Sequence, residues 1–151
     1  MGIKIKQNFK NILMKNDNLY IMGDVSFKPK LTKDFLQMLK NIGVNIYFIR
    51  GNHDIRISDE ELLQYCEWVK NQTEIKIEGT KITLNHYPMR QWNQAHRGAW
   101  HLFGHAHGRL YMGEKCYDVG VDTNEYKPIS YASLKTIMKY KLNQDHRHKK
   151  H

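Results

Sequence analysis

The chain of 151 residues contains no apolar run near the ~18 residues of a membrane-spanning helix. A membrane partner is therefore not expected. Cysteine is scarce: Cys66 and Cys116 lie on separate segments, without the spacing of a thiolate metal site. A disulfide scaffold is excluded, and two reduced structural thiols in a cytosolic protein are the expectation. No apolar leader follows Met1, so a cytoplasmic location is expected. There are only three prolines, and no Ser/Gly-rich linker, internal repeat or low-complexity tract. One domain over residues 1–142 follows, with a basic, solvated tail at 143–151. Acidic residues are in short supply, 15 against 24 Lys and Arg, for a formal net charge of +9. That balance favours nucleotides, nucleic acid or other phosphate-bearing partners and says nothing of chemistry. The last seven residues, DHRHKKH, supply part of it.

What is present reads as alternating strands and helices. "NFKNILMK" (8–15) looks like the end of a helix, and "LYIM" (19–22) like a buried strand. Phe35, Leu36, Met38, Leu39 and Ile42 recur at helical spacing, with Thr32 expected to cap the start and Gly43 the end. "NIYFI" (45–49) is a second buried strand. Ser58 and Glu61 form a capping box before an expected helix carrying Leu62, Leu63, Tyr65, Cys66 and Val69. "EIKIEGTKITLNH" reads as a hairpin turning at Glu78-Gly79, and "AWHLFGH" and "CYDVGVD" as two further strands. A last amphipathic helix, "SYASLKTIMKYKL", turns Tyr131, Leu134, Ile137, Met138 and Leu142 inward. The order predicts an α/β fold with strands inside and helices outside.

Polar residues collect where the strands end. Gly23-Asp24 follows "LYIM", and Gly51-Asn52-His53-Asp54 follows "NIYFIR". His86 follows "KITLN", and Gly104-His105-Ala106-His107 follows "HLF". In α/β sheets ligands bind beyond the carboxyl ends of strands, where loops bring side chains to one point. A carboxylate, an amide oxygen and several imidazoles make a mixed O/N donor set. It suits Mn²⁺, Fe or Zn²⁺ better than the oxygen-preferring Ca²⁺ or Mg²⁺. Singly, each piece has a plain reading: a Gly-Asp turn, a surface loop, a strand end. Their joint, ordered occurrence is what chance explains poorly.

These residues resemble the calcineurin-like metallophosphoesterase superfamily, whose ordered motifs are D-x-H, G-D, G-N-H-[DE], a lone His and G-H-x-H. All but the first are matched, and "LNHYPMRQWN", "GAWHLFGHAHG" and "YDVGVDTNEYKPIS" look like small phosphoesterases of bacteria and phages. The resemblance implies a two-sheet α/β sandwich flanked by helices, with a dinuclear metal site. It makes Asp24 the bridging ligand, with Asn52, His86 and His105 completing one metal's shell and His107 serving the other. Mn is the expected metal, with Fe, Zn or Ni as alternatives. No Asp-x-His precedes Asp24, so the family's first strand is expected to be missing, one ion to be held firmly, and the second weakly or not at all. Three explanations stand open: a start downstream of the native N-terminus, a natural short form, or a fold kept for binding alone. The alternation Ile3-Lys4-Ile5 raises the possibility of a replacement strand, against an amphipathic helix.

The implied activity is hydrolysis of a phosphate mono- or diester by metal-activated hydroxide. His53 is suited to protonate the leaving group, and Asp54 to fix its tautomer or cap a turn. Arg90, Arg97 and Arg109 are candidates to grip substrate phosphate. Tyr87 and Trp92 are candidates to stack on a nucleobase, whereas Trp100 is expected in the core. The alternatives are a nuclease, motivated by the +9 charge, and a non-catalytic binding module on the same fold, motivated by the absent D-x-H.

Overall fold

Short runs of branched and aromatic residues build two sheets. The first contains β1 (Asn18–Ile21), β2 (Asn45–Ile49) and β3 (Trp68–Lys70), all parallel, in the order β1-β2-β3. The second contains β4 (Gln72–Ile77), β5 (Thr80–Asn85), β6 (Trp100–Phe103) and β7 (Cys116–Asp118) in sequence order. There β4 and β5 form the expected antiparallel hairpin, and β5, β6 and β7 run parallel. The computed structural model describes residues 3–23, 25, 28–52, 54–104, 114–121 and 124–143. Among these, no helix is long and apolar enough to cross a membrane.

Helices α1 (Ile3–Ile12), α2 (Pro29–Ile42) and α3 (Asp59–Leu63) cover one face of the first sheet. Phe9 of α1 meets Phe35 of α2 edge-on at 5.2 Å, over a core of Leu36, Leu39, Ile46 and Phe48. The last four are fully buried, each contributing on the order of 1.5–3 kcal/mol of transfer free energy. Between the sheets, Met22 and Ile49 pack with Ile82, Leu84, Trp100 and Leu102, and α4 (Tyr131–Lys139) closes this layer with Leu134 and Met138. Tyr20, Tyr47 and Trp68 share one register row across the first sheet, the two tyrosines stacked at 4.8 Å. The architecture is the expected two-sheet α/β sandwich flanked by helices.

Several local expectations are corrected. Ile3 and Ile5 lie in a helix, not a replacement strand, because Phe9 and Ile5 together form an apolar face against the core. Helix α2 begins at Pro29, with Lys28 at the N-cap and no side-chain cap; Thr32 is buried inside it. Proline in the first turn has its φ preset for the helix and one N–H fewer to satisfy, which places the start three residues before Thr32. The capping box at Ser58 and Glu61 is present, yet α3 stops at Leu63. Glu67 N–H donates to the Ile46 carbonyl at 2.7 Å, drawing the chain into register beside β2 as β3. Leu62 and Cys66 both reach the core although the chain leaves the helix between them, so their spacing mimics a longer helix. Leu142 is 76% exposed, not inward.

On the outer face of the second sheet, His101 is fully buried beneath the segment that follows β5. Its Nε2 accepts the Met89 N–H at 2.9 Å, so Nδ1 carries the proton and donates to the Thr83 carbonyl at 3.0 Å. Burial drives its pKa below the ordinary histidine value, against the opposing pull of its backbone bonds. The folded state therefore binds this proton less readily than the unfolded chain. The stabilisation is present above the unfolded value of about 6.5 and is lost as pH falls from there towards the depressed folded value. Thermal melts of His101→Gln should lose less stability between pH 7 and pH 5 than the parent, a difference of up to ~1.4 kcal/mol per pH unit. Burial also pushes the Cys66 and Cys116 thiols up to about 12 and about 11. A thiol-specific chromogenic reagent should label both only after unfolding.

Candidate functional site

Asn71 alone separates β3 from β4. Since Gln72 pairs with Asn85, the edge at which the first sheet's strands end is also the edge at which β5 ends. The sequence motifs converge there. An ideal Cβ on Gly23, whose φ is +82°, would lie 2.3 Å from the Gly51 nitrogen and 2.6 Å from its Cα. The loop after β1 thus packs backbone to backbone against the loop after β2. A Cβ on Gly104 would lie 3.0 Å from Met22 Cβ and 3.9 Å from His86 Nδ1, and Gly104 N–H donates to the His86 carbonyl at 3.0 Å. Four sequence-distant stretches, at Gly23, Gly51-Asn52, His86 and Gly104, therefore meet.

His86 sits at the centre and is 1% exposed. Its Nδ1 lies 2.5 Å from the Met22 carbonyl, which can only accept, so Nδ1 carries the proton. In the neutral ring that leaves a lone pair on Nε2, which faces Asn52 Oδ1 at 3.0 Å across 34 residues of sequence. Two electron-pair donors turned towards one another are what a cation site requires. A divalent ion at this point would take one lone pair from each. Among the described residues, the imidazole of His86 and the amide oxygen of Asn52 are a donor pair of the kind a divalent metal takes.

The loop carrying Asn52 is built by its neighbours. Asp54, 1% exposed, accepts the Gly51 N–H on Oδ2 at 2.6 Å. Arg50 donates through Nη2 to the Asp54 and Ile57 carbonyls at 2.6 and 2.5 Å, and pairs through Nη1 with Asp59 at 2.8 Å. The turn-capping alternative for Asp54 is what its described contacts display. Asp24, His53, His105, His107 and Arg109 lie outside the described residues. Among the described residues no three His, Cys, Asp or Glu side chains cluster.

The remaining candidates separate. Arg90 is exposed on the segment leading away from His86. Arg97 lies in a 3-10 turn (Ala95–Arg97) just before β6 begins. Because β6 runs parallel to β5 towards the site, its start lies at the opposite end, and the structure does not bring Arg97 to His86. Trp92 is 4% exposed, with its indole N–H on the Ala99 carbonyl at 2.8 Å, so it is core and offers no face to a ligand. Trp100 is core as expected. Tyr87 is 45% exposed and stands edge-on to the His86 ring at 5.0 Å. The sequence reading missed the Met22 carbonyl that orients His86, since a backbone acceptor leaves no residue signal. It also missed Asn71, Gln72 and Asn85, which line a cleft beside Asn52.

The family model described as calcineurin-like phosphoesterase matches residues 3–78, half of the chain. The chain belongs to the calcineurin-like phosphoesterase family. Phosphoesterase-type function and binding of divalent metals are general to the family. The chain is similar to an uncharacterized protein, MJ1445, of Methanocaldococcus jannaschii, at 26% identity over 137 residues, covering 86% of this chain and 70% of the relative. It is also similar in fold to a crystal structure of the protein of unknown function AQ665 from Aquifex aeolicus. The TM-score is 0.68 at 23% identity, over 89% of this chain and 83% of that one. The Asn52 loop lies within the family match, whereas His86 and the Gly104 stretch lie beyond it and are tied to it by the contacts above.

The contact at Gly23 can be separated from its backbone conformation. Gly79 has a similar φ of +85°, with nothing within 4 Å of an added Cβ. Gly79→Ala should cost about 1–2 kcal/mol, the left-handed penalty alone. Gly23→Ala should cost at least ~3 kcal/mol more in urea unfolding, because only backbone atoms stand in its way.

Proposed function

We propose that the chain hydrolyses a phosphate monoester or diester at the edge where both sheets end, using a divalent metal held by Asn52 and His86. The observation that carries this reading is the His86 ring: its proton is fixed on the Met22 carbonyl and its lone pair faces Asn52 Oδ1 at 3.0 Å. Asp24 and His105, each next in sequence to one of the converging glycines, complete that metal's donor set in this reading. His107 serves a second, more weakly held ion. The mixed donors favour Mn²⁺, with Fe, Zn²⁺ or Ni²⁺ as substitutes. When bound, such an ion supplies Lewis-acid stabilisation of phosphoryl charge and an acidified water.

The chain's own groups do the rest. His53 donates a proton to the departing ester oxygen, and Arg90 steadies a phosphate oxygen from the rim. Asp54 acts as a positioning residue: by holding the Gly51 N–H it sets the turn that carries Asn52. A neutral leaving alcohol needs that proton, which is worth ~10²–10⁴ in rate.

Hydrolysis of an aryl phosphate monoester and an aryl phosphate diester should rise with added Mn²⁺. Asn52→Ala and His86→Ala should weaken Mn²⁺ binding at least tenfold, read by electron paramagnetic resonance independently of turnover. His53→Ala should lower kcat by ~10²–10⁴ with Mn²⁺ binding retained. No metal-stimulated turnover of either ester, or undiminished kcat in His53→Ala, would falsify the proposal.

A further inference from the structure

Beside Asn52 opens a cleft of about 480 Å³, within the range of small-ligand sites. It is lined by Arg50, Asn52, Asn71, Gln72, Asn85 and Tyr87, among others. Its walls come from the ends of β2 and β5, the start of β4 and the Asn71 crossover, so it is continuous with the His86–Asn52 site. Among the described residues of the lining Arg50 is the only charged side chain, and its guanidinium is committed to Asp59 and two carbonyls. The described lining offers neutral amides and a ring rather than open cations.

Its amides are arranged. Asn85 Oδ1 accepts the Tyr87 N–H at 3.0 Å, and Asn85 Nδ2 donates to Gln72 Oε1 at 2.9 Å. This chain of bonds fixes both amide planes, and the Gln72 Nε2 hydrogens have no partner among the described residues. The Asn71 amide likewise has none there. Gln72 Nε2 offers donors on a held amide plane, and Asn71 offers a donor and an acceptor, groups that suit the edge of a heterocyclic base, as Asn and Gln do with adenine. Tyr87, 45% exposed and adjoining His86, supplies a ring face for sequence-tolerant stacking.

We propose that this cleft binds a nucleobase, which makes the substrate of the neighbouring centre a nucleotide. The inference rests on the phosphoesterase reading and narrows it. The phosphate lies at Asn52 and His86, and the base lies among Asn71, Gln72 and Asn85 against Tyr87.

The test compares adenosine 5′-monophosphate with ribose 5-phosphate, which carries the same phosphate and sugar without a base. Both are titrated onto the full chain by ligand-observed NMR, without added metal so that neither is consumed. The nucleotide should bind about tenfold more tightly, in keeping with one base–aromatic contact plus amide hydrogen bonds. Tyr87→Ala and Asn71→Ala, both changes at exposed positions, should each reduce that preference, and Gln72→Ala together with Tyr87→Ala should bring it within twofold. Equal binding of the two ligands by the parent chain, or a preference untouched in every variant, overturns the inference. So does an absence of nucleotide binding at millimolar concentration. These readouts need no turnover. Failure here with aryl phosphates still hydrolysed removes only the base site, while loss of metal-stimulated hydrolysis with the preference intact removes only the phosphoesterase reading.

Discussion

One imidazole holds the two layers in register at the edge that matters. His86 ends a strand of the second sheet, yet its Nδ1 proton is spent on a carbonyl at the end of the first sheet's β1. Its Nε2 is turned on an amide at the end of β2. A hydrogen bond buried this deeply is costly to leave unmade, on the order of 1–3 kcal/mol. Tautomer, ring orientation and sheet alignment are therefore set together. The backbone contact of Gly23 with Gly51 and the Gly104 bond to the His86 carbonyl close the same corner from its other sides. Donor atoms that the sequence scatters over more than 30 residues meet because strand ends meet.

Most of the scaffold was legible from periodicity. β1, β2, the hairpin and the two later strands follow from short apolar or alternating runs, and Ser58-x-x-Glu61 announced α3 correctly at its start. What was not legible depends on partners. Trp68-Val69-Lys70 is too short to signal a strand and becomes one because β2 offers it unpaired backbone groups. Leu62 and Cys66 share a core, not a helix. His101 alternates to the outer face of its sheet, where local pattern predicts solvent, and the segment carrying Met89 and Trp92 packs over it.

The site divides in the same way. Glycine-flanked polar clusters at strand ends were readable, and Asn52 and His86 do meet. Arg97 looked close to the motifs along the chain but lies at the far end of β6, because a parallel connection must return to the start of the next strand. The amides of Asn71, Gln72 and Asn85 carried no signal: neutral polar residues at strand termini are common, and their arrangement exists only once β4 pairs with β5. Charge was a poor guide to place. Lys4, Lys6 and Lys10 all ride on α1, over the face of the first sheet that looks away from the second.

The single-residue passage through Asn71 also governs how such a molecule can grow. Between β3 and β4 there is no slack, so an added residue would shift the register of one sheet against the other and spoil the corner they share. At the opposite pole, the Glu78-Gly79 turn joins two strands with open space around it. Loop tips of that kind accept inserted segments readily. Ornament, whether acquired by descent or engineered, belongs at that pole, leaving the chemistry at the other undisturbed.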